Sequence, residues 1–342
     1  MAFEDERFDR SGPQGLNRID WKNADHVRSV VASLVHGVSI LERDRQEKRY
    51  RPLALAPPWW ETFGFQLESP LKDKANSSIF GAIFEYERPS SSGNRSADGP
   101  RFVVAFRGTL IKAKSTPRDM KLNAQIIMHK LHSSSRCETA MQAVEKLVAA
   151  PVDSRIWLAG HSQGSAIALH VGKNMAKKRL LESFLFNPPF VSAPLEKIKS
   201  WRMKLGLQLF TSVLRGVVAL VKHSRERRQQ YARSFAALSP WVPHLFVNKV
   251  DLVCSGYIGY FEFGNWMQQV GLGDLHKFAR QYSVMSMLLS KKGTQAEPLH
   301  LIPSAKLTIN SAPLECCVRA HGICEWWKQD LRPKSIVYEY EY

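Results

Sequence analysis

The chain has 342 residues, of which 44% are hydrophobic, 10% aromatic and 23% charged. That is enough apolar material for the core of one large α/β domain or two small ones, and it excludes an intrinsically disordered chain. The net charge of +17 attracts anions of any kind, but no C2H2 zinc spacing, basic zipper or aromatic-and-glycine RNA signature accompanies it. Nucleic acid is therefore not the expected partner, and the charge reads as solvated basic surface or as attraction to an anionic membrane.

Residues 1–7 are acidic and polar with no apolar run behind them, which speaks against a secretory signal or a transit peptide. The five cysteines, Cys137, Cys254, Cys316, Cys317 and Cys324, are odd in number and form neither a disulfide framework nor paired CxxC ligands. The expectation is an intracellular, cytoplasmic protein with no metal site. Without secretion, the sequons at Asn76 and Asn94 carry no weight.

Residues 1–20 read as a loose polar tail, and residues 21–342 as a single domain. From 23 to 45 apolar residues recur at helical spacing (Val27, Val30, Val31, Leu34, Val35, Val38, Ile40, Leu41), the pattern of an amphipathic helix. Residues 53–60, rich in proline and tryptophan, are expected to be irregular. Residues 79–86 and 101–106 read as strands around a Ser-, Gly- and Asn-rich connection. A helix follows at 140–149, then a short apolar strand at 156–159 leading into small residues that start another helix. Residues 183–186 and 245–250 are two further buried strands. This alternation predicts a mainly parallel sheet with helices on both faces. An insertion at 195–235 interrupts it. Residues 196–233 are strongly basic around the apolar stretch 205–221, which carries Arg215 and is short for a membrane span. It reads as an amphipathic helix that serves as a lid, rests on an anionic membrane, or packs on the core with a solvated flank.

Gly160-His161-Ser162-Gln163-Gly164 matches G-x-S-x-G. A serine on a sharp strand-to-helix turn exposes its hydroxyl, and the neighbouring chain approaches so closely that side chains two residues before and after are not tolerated. The apolar Ile156-Trp157-Leu158-Ala159 before it and the small Ser165-Ala166-Ile167-Ala168 after it supply the strand–turn–helix context. Such a serine needs a histidine as base and a carboxylate to orient it, following the serine in the order acid, then histidine. The acids downstream include Asp251, Asp274 and Asp330; the histidines are His170, His223, His244, His276, His300 and His321. Asp251 directly follows a strand, where open α/β sheets place their sites. His321 lies in a loop ahead of Trp326-Trp327, and by spacing alone His300 rivals it. For an oxyanion, one backbone donor is expected from Gln163 and another from the Phe106-Arg107-Gly108-Thr109 turn, with Arg107 structural.

Four segments carry a family resemblance, in order over residues 79–327: Val103-Val104-Ala105-Phe106-Arg107-Gly108-Thr109, the Gly160–Gly164 pentapeptide, Asn248-Lys249-Val250-Asp251-Leu252-Val253, and His321-Gly322-Ile323-Cys324-Glu325-Trp326-Trp327. Together they resemble the class 3 (triacylglycerol) lipase-like families, particularly an intracellular plant group labelled GDSL esterase/lipase. The resemblance implies an α/β-hydrolase fold and a serine esterase or lipase acting on carboxylic, acyl lipid esters. It implies Ser162 as nucleophile, Asp251 as orienting acid, His321 rather than His300 as base, and Thr109 in the oxyanion hole, with no cofactor required. The GDSL label itself does not describe the chain, which contains no Gly-Asp-Ser-Leu. The alternative expectation is a lipase-like binding or signalling protein that keeps the fold without the activity.

Overall fold

Successive residues of a strand point to opposite faces of a sheet, and that alternation divides the apolar residues of this chain between two cores. The computed structural model describes residues 6–16, 18–87, 99–109, 134–150, 154–190, 225–269, 299–312 and 317–340. Its centre is an eight-stranded sheet with the strands side by side in chain order: β1 (Phe65–Lys72), β2 (Ile79–Tyr86), β3 (Phe102–Phe106), β4 (Ile156–His161), β5 (Glu182–Phe186), β6 (His244–Asn248), β7 (Ala305–Asn310) and β8 (Lys334–Tyr338). Strands β3 to β7 run parallel. Antiparallel pairs β1–β2 and β2–β3 close one edge and β7–β8 the other. The described helices are α1 (Phe8–Ser11), α2 (Ala24–Gln46), α3 (Pro58–Glu61), α4 (Ser135–Ala149), α5 (Gln163–Met175), α6 (Arg225–Ala236), α7 (Gly256–Gln269) and α8 (Cys317–Ala320), followed by a 3-10 turn, Ile323–Trp327.

In β4, Ile156 and Leu158 join a core with Val144 of α4 and Ile167 of α5, while Trp157 and Ala159 join the opposite core with Val31, Leu34 and Val35 of α2. Strand β3 splits in the same way, Val104 and Phe106 from Val103 and Ala105. Buried on both faces, these strands appear in the sequence as continuous apolar runs. On the α2 side, Phe186 stacks on its register partner Phe246 with ring centroids 4.5 Å apart. Asn23 starts α2, its side chain accepting from the backbone N–H groups of Asp25 and His26, which satisfies donors that have no partner within the helix. Near the far end, the buried Glu42 carboxylate takes Arg45, Gln46 and the N–H of Ile79, so that α2 is tied to the start of β2.

Several expectations are corrected. The N-terminal stretch is not loose where it is described. Phe8 sits edge-on to Trp59 and Phe63, Glu6 accepts from Arg43 and Arg49, and the Trp327 indole donates to the Ser11 carbonyl. Apolar anchors spaced among charges hold it, a pattern too sparse to show as periodicity. Residues 53–60 are not wholly irregular, since α3 begins at Pro58, where the missing N–H of proline costs nothing. Helix α4 starts at Ser135, capped by the Ser134 hydroxyl, rather than at 140. Strand β6 ends at Asn248, and Lys249 and Val250 form a turn. The edge strands β1 and β8, the inner strand β7 and helix α7 were not anticipated. Strand β1 contains Pro70 and register shifts after Leu67 and Leu71 that break its alternation.

Of the insertion at 195–235, α6 alone lies among the described residues. Its Phe235 packs edge-on against Tyr340, and the expected lid lies outside the described residues. Among the described residues no helix is long and apolar enough to cross a membrane.

If the N-terminal stretch is an integral part of the fold, Phe8→Ala lowers stability by about 1–2 kcal/mol for the half-buried ring it removes. Urea denaturation measures this, and an unchanged midpoint would show that the segment contributes nothing to the fold.

Candidate active site

The geometry begins where β4 passes into α5. Ser162 caps α5 with φ +52° and ψ −119°, a left-handed conformation that a non-glycine residue adopts only when its surroundings impose it. What imposes it is close approach. A Cβ on Gly160 would lie 2.4 Å from the backbone of Gly164, and one on Gly164 would lie 2.1 Å from the Phe106 carbonyl oxygen at the end of β3. The Ser162 N–H donates to the Phe186 carbonyl at 2.9 Å, and the buried Ser165 hydroxyl reaches the Gly160 and Phe186 carbonyls. The turn is thereby held on three strand ends, with the Ser162 hydroxyl left half-buried.

His321 follows α8 and points its ring at that hydroxyl: Nε2 lies 2.9 Å from Ser162 Oγ, and Nδ1 lies 2.7 Å from Asp251 Oδ2. The Nδ1–H donates to the carboxylate, and Nε2 accepts from the serine. Asp251 comes from the turn after β6 and is 1% exposed. Its Oδ1 accepts from the Val253 N–H at 2.9 Å. Its Oδ2 also accepts from Asn187 Nδ2 at 2.7 Å and the Cys254 thiol at 3.0 Å. Burial pushes this carboxyl up, but the facing His321 and the hydrogen bonds from His321, Cys254 and Asn187 outweigh it and hold it below the usual carboxylate range. Burial and the Asp251 charge push the Cys254 thiol well up, so it stays protonated as a donor.

The His321 main chain is held as well, with its carbonyl accepting from His161 Nε2 at 2.7 Å. Arg107 is structural: buried, it donates to the carbonyls of Ile79 and Gly108 at 2.6 and 2.7 Å, and burial lowers its guanidinium to about 10. Gly108 lies against the serine turn, where a Cβ would meet His161 Nδ1 at 2.8 Å. The next residue, Thr109, donates its hydroxyl to Gln163 Oε1 at 2.9 Å. As first residue of α5, Gln163 has no carbonyl within the helix for its N–H.

Thus Ser162, Asp251 and His321 are brought together, and Thr109 meets Gln163 beside them. The other candidates are elsewhere. His300 is buried edge-on to Phe190 with centroids 4.9 Å apart. His170 lies along α5 beside Asn174, and Asp330 is exposed near the C-terminus. Asp274, His223 and His276 lie outside the described residues. Sequence reasoning missed Asn187, His161 and Cys254. His161 stood inside the quoted pentapeptide, whereas Asn187 offered no motif, only a polar residue directly after an apolar strand. Among the described residues no group of three or more His, Cys, Asp or Glu side chains is placed to hold a metal ion.

His244 lies at the opposite end of the strands, beside a cleft of about 480 Å³ whose lining includes Arg155, Glu182 and Lys306. Ser162, Asn187 and Asp251 instead follow the C-terminal strand ends, the ordinary place for a site in a parallel sheet. Burial and the nearby Lys306 lower His244 to about 4, so its 3.6 Å approach to Glu182 is no ion pair at neutral pH. The unfolded chain takes up this proton near the ordinary value of 6.5 and the folded chain only near 4, so acidification through that window favours unfolding. His244→Phe, which keeps the stack on Phe184, is expected to flatten the loss of stability between those pH values in urea denaturation. An unchanged slope would refute the lowered value.

Comparison with known proteins gives one strong relative. The chain is 43% identical over 353 aligned residues to a GDSL esterase/lipase of Arabidopsis thaliana, an alignment covering 100% of each chain. No protein-family model matches. The crystal structure of a lipase from Rhizopus microsporus var. chinensis aligns with 68% of this chain and 69% of its own, at 12% identity and a TM-score of 0.32, too distant a likeness to carry an argument.

Proposed function

We propose that this chain, which belongs to the GDSL esterase/lipase family of its Arabidopsis relative, hydrolyses carboxylic esters by serine acyl transfer on an α/β-hydrolase scaffold of the class 3 lipase type. The observation that carries this reading is the continuous path of contacts from Ser162 Oγ to His321 Nε2 at 2.9 Å and from His321 Nδ1 to Asp251 at 2.7 Å. A serine hydroxyl is a weak nucleophile until a base removes its proton during attack, and this arrangement supplies that base already oriented.

In the first step Ser162 Oγ attacks the ester carbonyl carbon while His321 Nε2 takes its proton. Asp251 holds the imidazole in the tautomer that leaves Nε2 free to accept, and it stabilises the imidazolium that forms. Negative charge developing on the carbonyl oxygen is met by the backbone N–H groups of Gln163 and Thr109. The Thr109–Gln163 side-chain bond supports this role by fixing the turn after β3 against the start of α5. His321 then gives its proton to the departing alkoxide, and an acyl-enzyme remains on Ser162. Water, deprotonated by His321 in turn, attacks that acyl group, and His321 returns the proton to Ser162 Oγ as the ester bond to the serine breaks and the acid is released. The sequence of steps asks for no metal or organic cofactor.

Acyl lipid esters are the substrate class we favour, on the strength of the class 3 resemblance. The chain's net charge of +17 supports peripheral attraction to an anionic lipid surface.

Ser162→Ala is expected to abolish both covalent labelling by a fluorophosphonate probe and hydrolysis of short p-nitrophenyl and acylglycerol esters. Asp251→Asn is expected to keep the fold and lower kcat by about 10³–10⁴-fold, because the imidazole loses its orienting acceptor. Labelling that persists in Ser162→Ala would rule out this nucleophile. A wild-type chain that neither labels nor hydrolyses any ester of the panel would favour the lipase-like binding protein instead.

A further inference from the structure

We infer that Asn187 is a positioning residue of this site, its side-chain amide setting the acid and the histidine-bearing segment in register with each other. The inference rests on the acyl-transfer reading of Ser162, His321 and Asp251.

Asn187 directly follows β5 and is fully buried. Its own backbone is fixed first, since its N–H donates to the Phe246 carbonyl of β6 at 2.8 Å. The side chain then spends each polar group on a different part of the site. Nδ2 donates to Asp251 Oδ2 at 2.7 Å and to the carbonyl of Ala320, the residue before His321, at 3.1 Å. Oδ1 accepts from the Trp326 indole at 2.6 Å, and Trp326 packs with Phe186 and Phe246 on the sheet. One amide therefore joins the turn after β6, the end of α8 and the 3-10 turn beyond His321. Asp251 and His321 lie 70 residues apart in the chain, and this amide bridges the segments that carry them.

Side-chain chemistry and backbone conformation both select asparagine here. The position has φ +47°, a region that asparagine and glycine enter most readily. Glycine would keep the backbone and provide no donor. Aspartate would keep the shape while losing both N–H groups and facing Asp251 with a like charge. Asparagine alone of the three has two donors for Asp251 and Ala320 and an acceptor for Trp326.

The same contact gives a readout beyond stability. The titratable groups facing Asp251 are His321 and Cys254, with the His161 ring on the far side of His321 at 5.1 Å. Asn187 is the neutral donor among them and one of the groups holding the Asp251 carboxyl low. Without it the coupled His321–Asp251 pair takes up its proton at a higher pH, so the acid limb of kcat/KM, which reports that pair, moves upward. A like charge at position 187 moves it further.

The test uses the full chain, with active sites counted by fluorophosphonate titration so that misfolded protein drops out. For Asn187→Gly, kcat per labelled site is expected to fall about 10–100-fold, the effect of a small misplacement of reacting groups. KM should change little and the acid limb should shift to higher pH. Asn187→Asp is expected to shift the limb further in the same direction, and it stands in if the glycine variant does not fold. Wild-type kcat and pH profile in either folded variant would overturn the inference, as would a limb that moves to lower pH. A wild-type chain that neither labels nor hydrolyses would instead bring down the acyl-transfer reading, a result distinguishable from the failure of Asn187 alone.

Discussion

At one point in this molecule β3, β4 and α5 come so close that no side chain fits between them. Gly160 and Gly164 leave that space open, and any Cβ would stand within 2.4 Å of neighbouring backbone. The close approach forces Ser162 into its positive φ, lifts its hydroxyl above the strand ends and frees the first N–H of α5. It also presses the turn after β3 against the serine, so that Arg107 must be buried to hold the carbonyls of Ile79 and Gly108. The strained conformation persists because the helix, three strands and a buried guanidinium all oppose its relaxation.

Around this turn the molecule takes on buried charge. A carboxylate out of water is costly unless its lone pairs are filled, and Asp251 fills them with a backbone N–H, an amide, a thiol and an imidazole. These bonds make the burial tolerable, and they also fix the direction in which the charge acts. A solvated carboxylate could not hold the His321 ring against Ser162 with the same constancy, because water would compete for each contact. Glu42 shows the same physics used for architecture, joining α2 to β2 through Arg45, Gln46 and the Ile79 N–H.

Local patterns in the chain were legible where one physical rule dominates. Helix α2 could be read to within about a residue at either end because its apolar stripe repeats over a few positions. Strands β3 to β6 could be found because burial on both faces leaves them almost entirely apolar. Strands β1 and β8 could not, since edge strands carry mixed residues, and β1 has a proline and two register shifts. The inner strand β7 could not because Lys306, Thr308 and Asn310 break its apolar run. The docked N-terminal stretch escaped notice because Phe8 and Glu6 signal nothing until Trp59, Phe63, Arg43 and Arg49 are placed around them.

The candidate site divides along the same line. The pentapeptide around Ser162 was readable because steric exclusion at a tight turn is local and demands glycine at fixed spacing. From residue spacing alone His300 and His321 were equal rivals, and Asn187 was invisible. Hydrogen bonds between residues 64 to 159 positions apart depend on where β5, β6 and the segment after β7 end in space, which no short window of sequence encodes. What the chain determined by itself was therefore the turn, the parallel core and the types of residue available to the site. The partners of each group were decided only in the tertiary structure, because hydrogen bonding acts over about 3 Å and only packing brings distant segments that near.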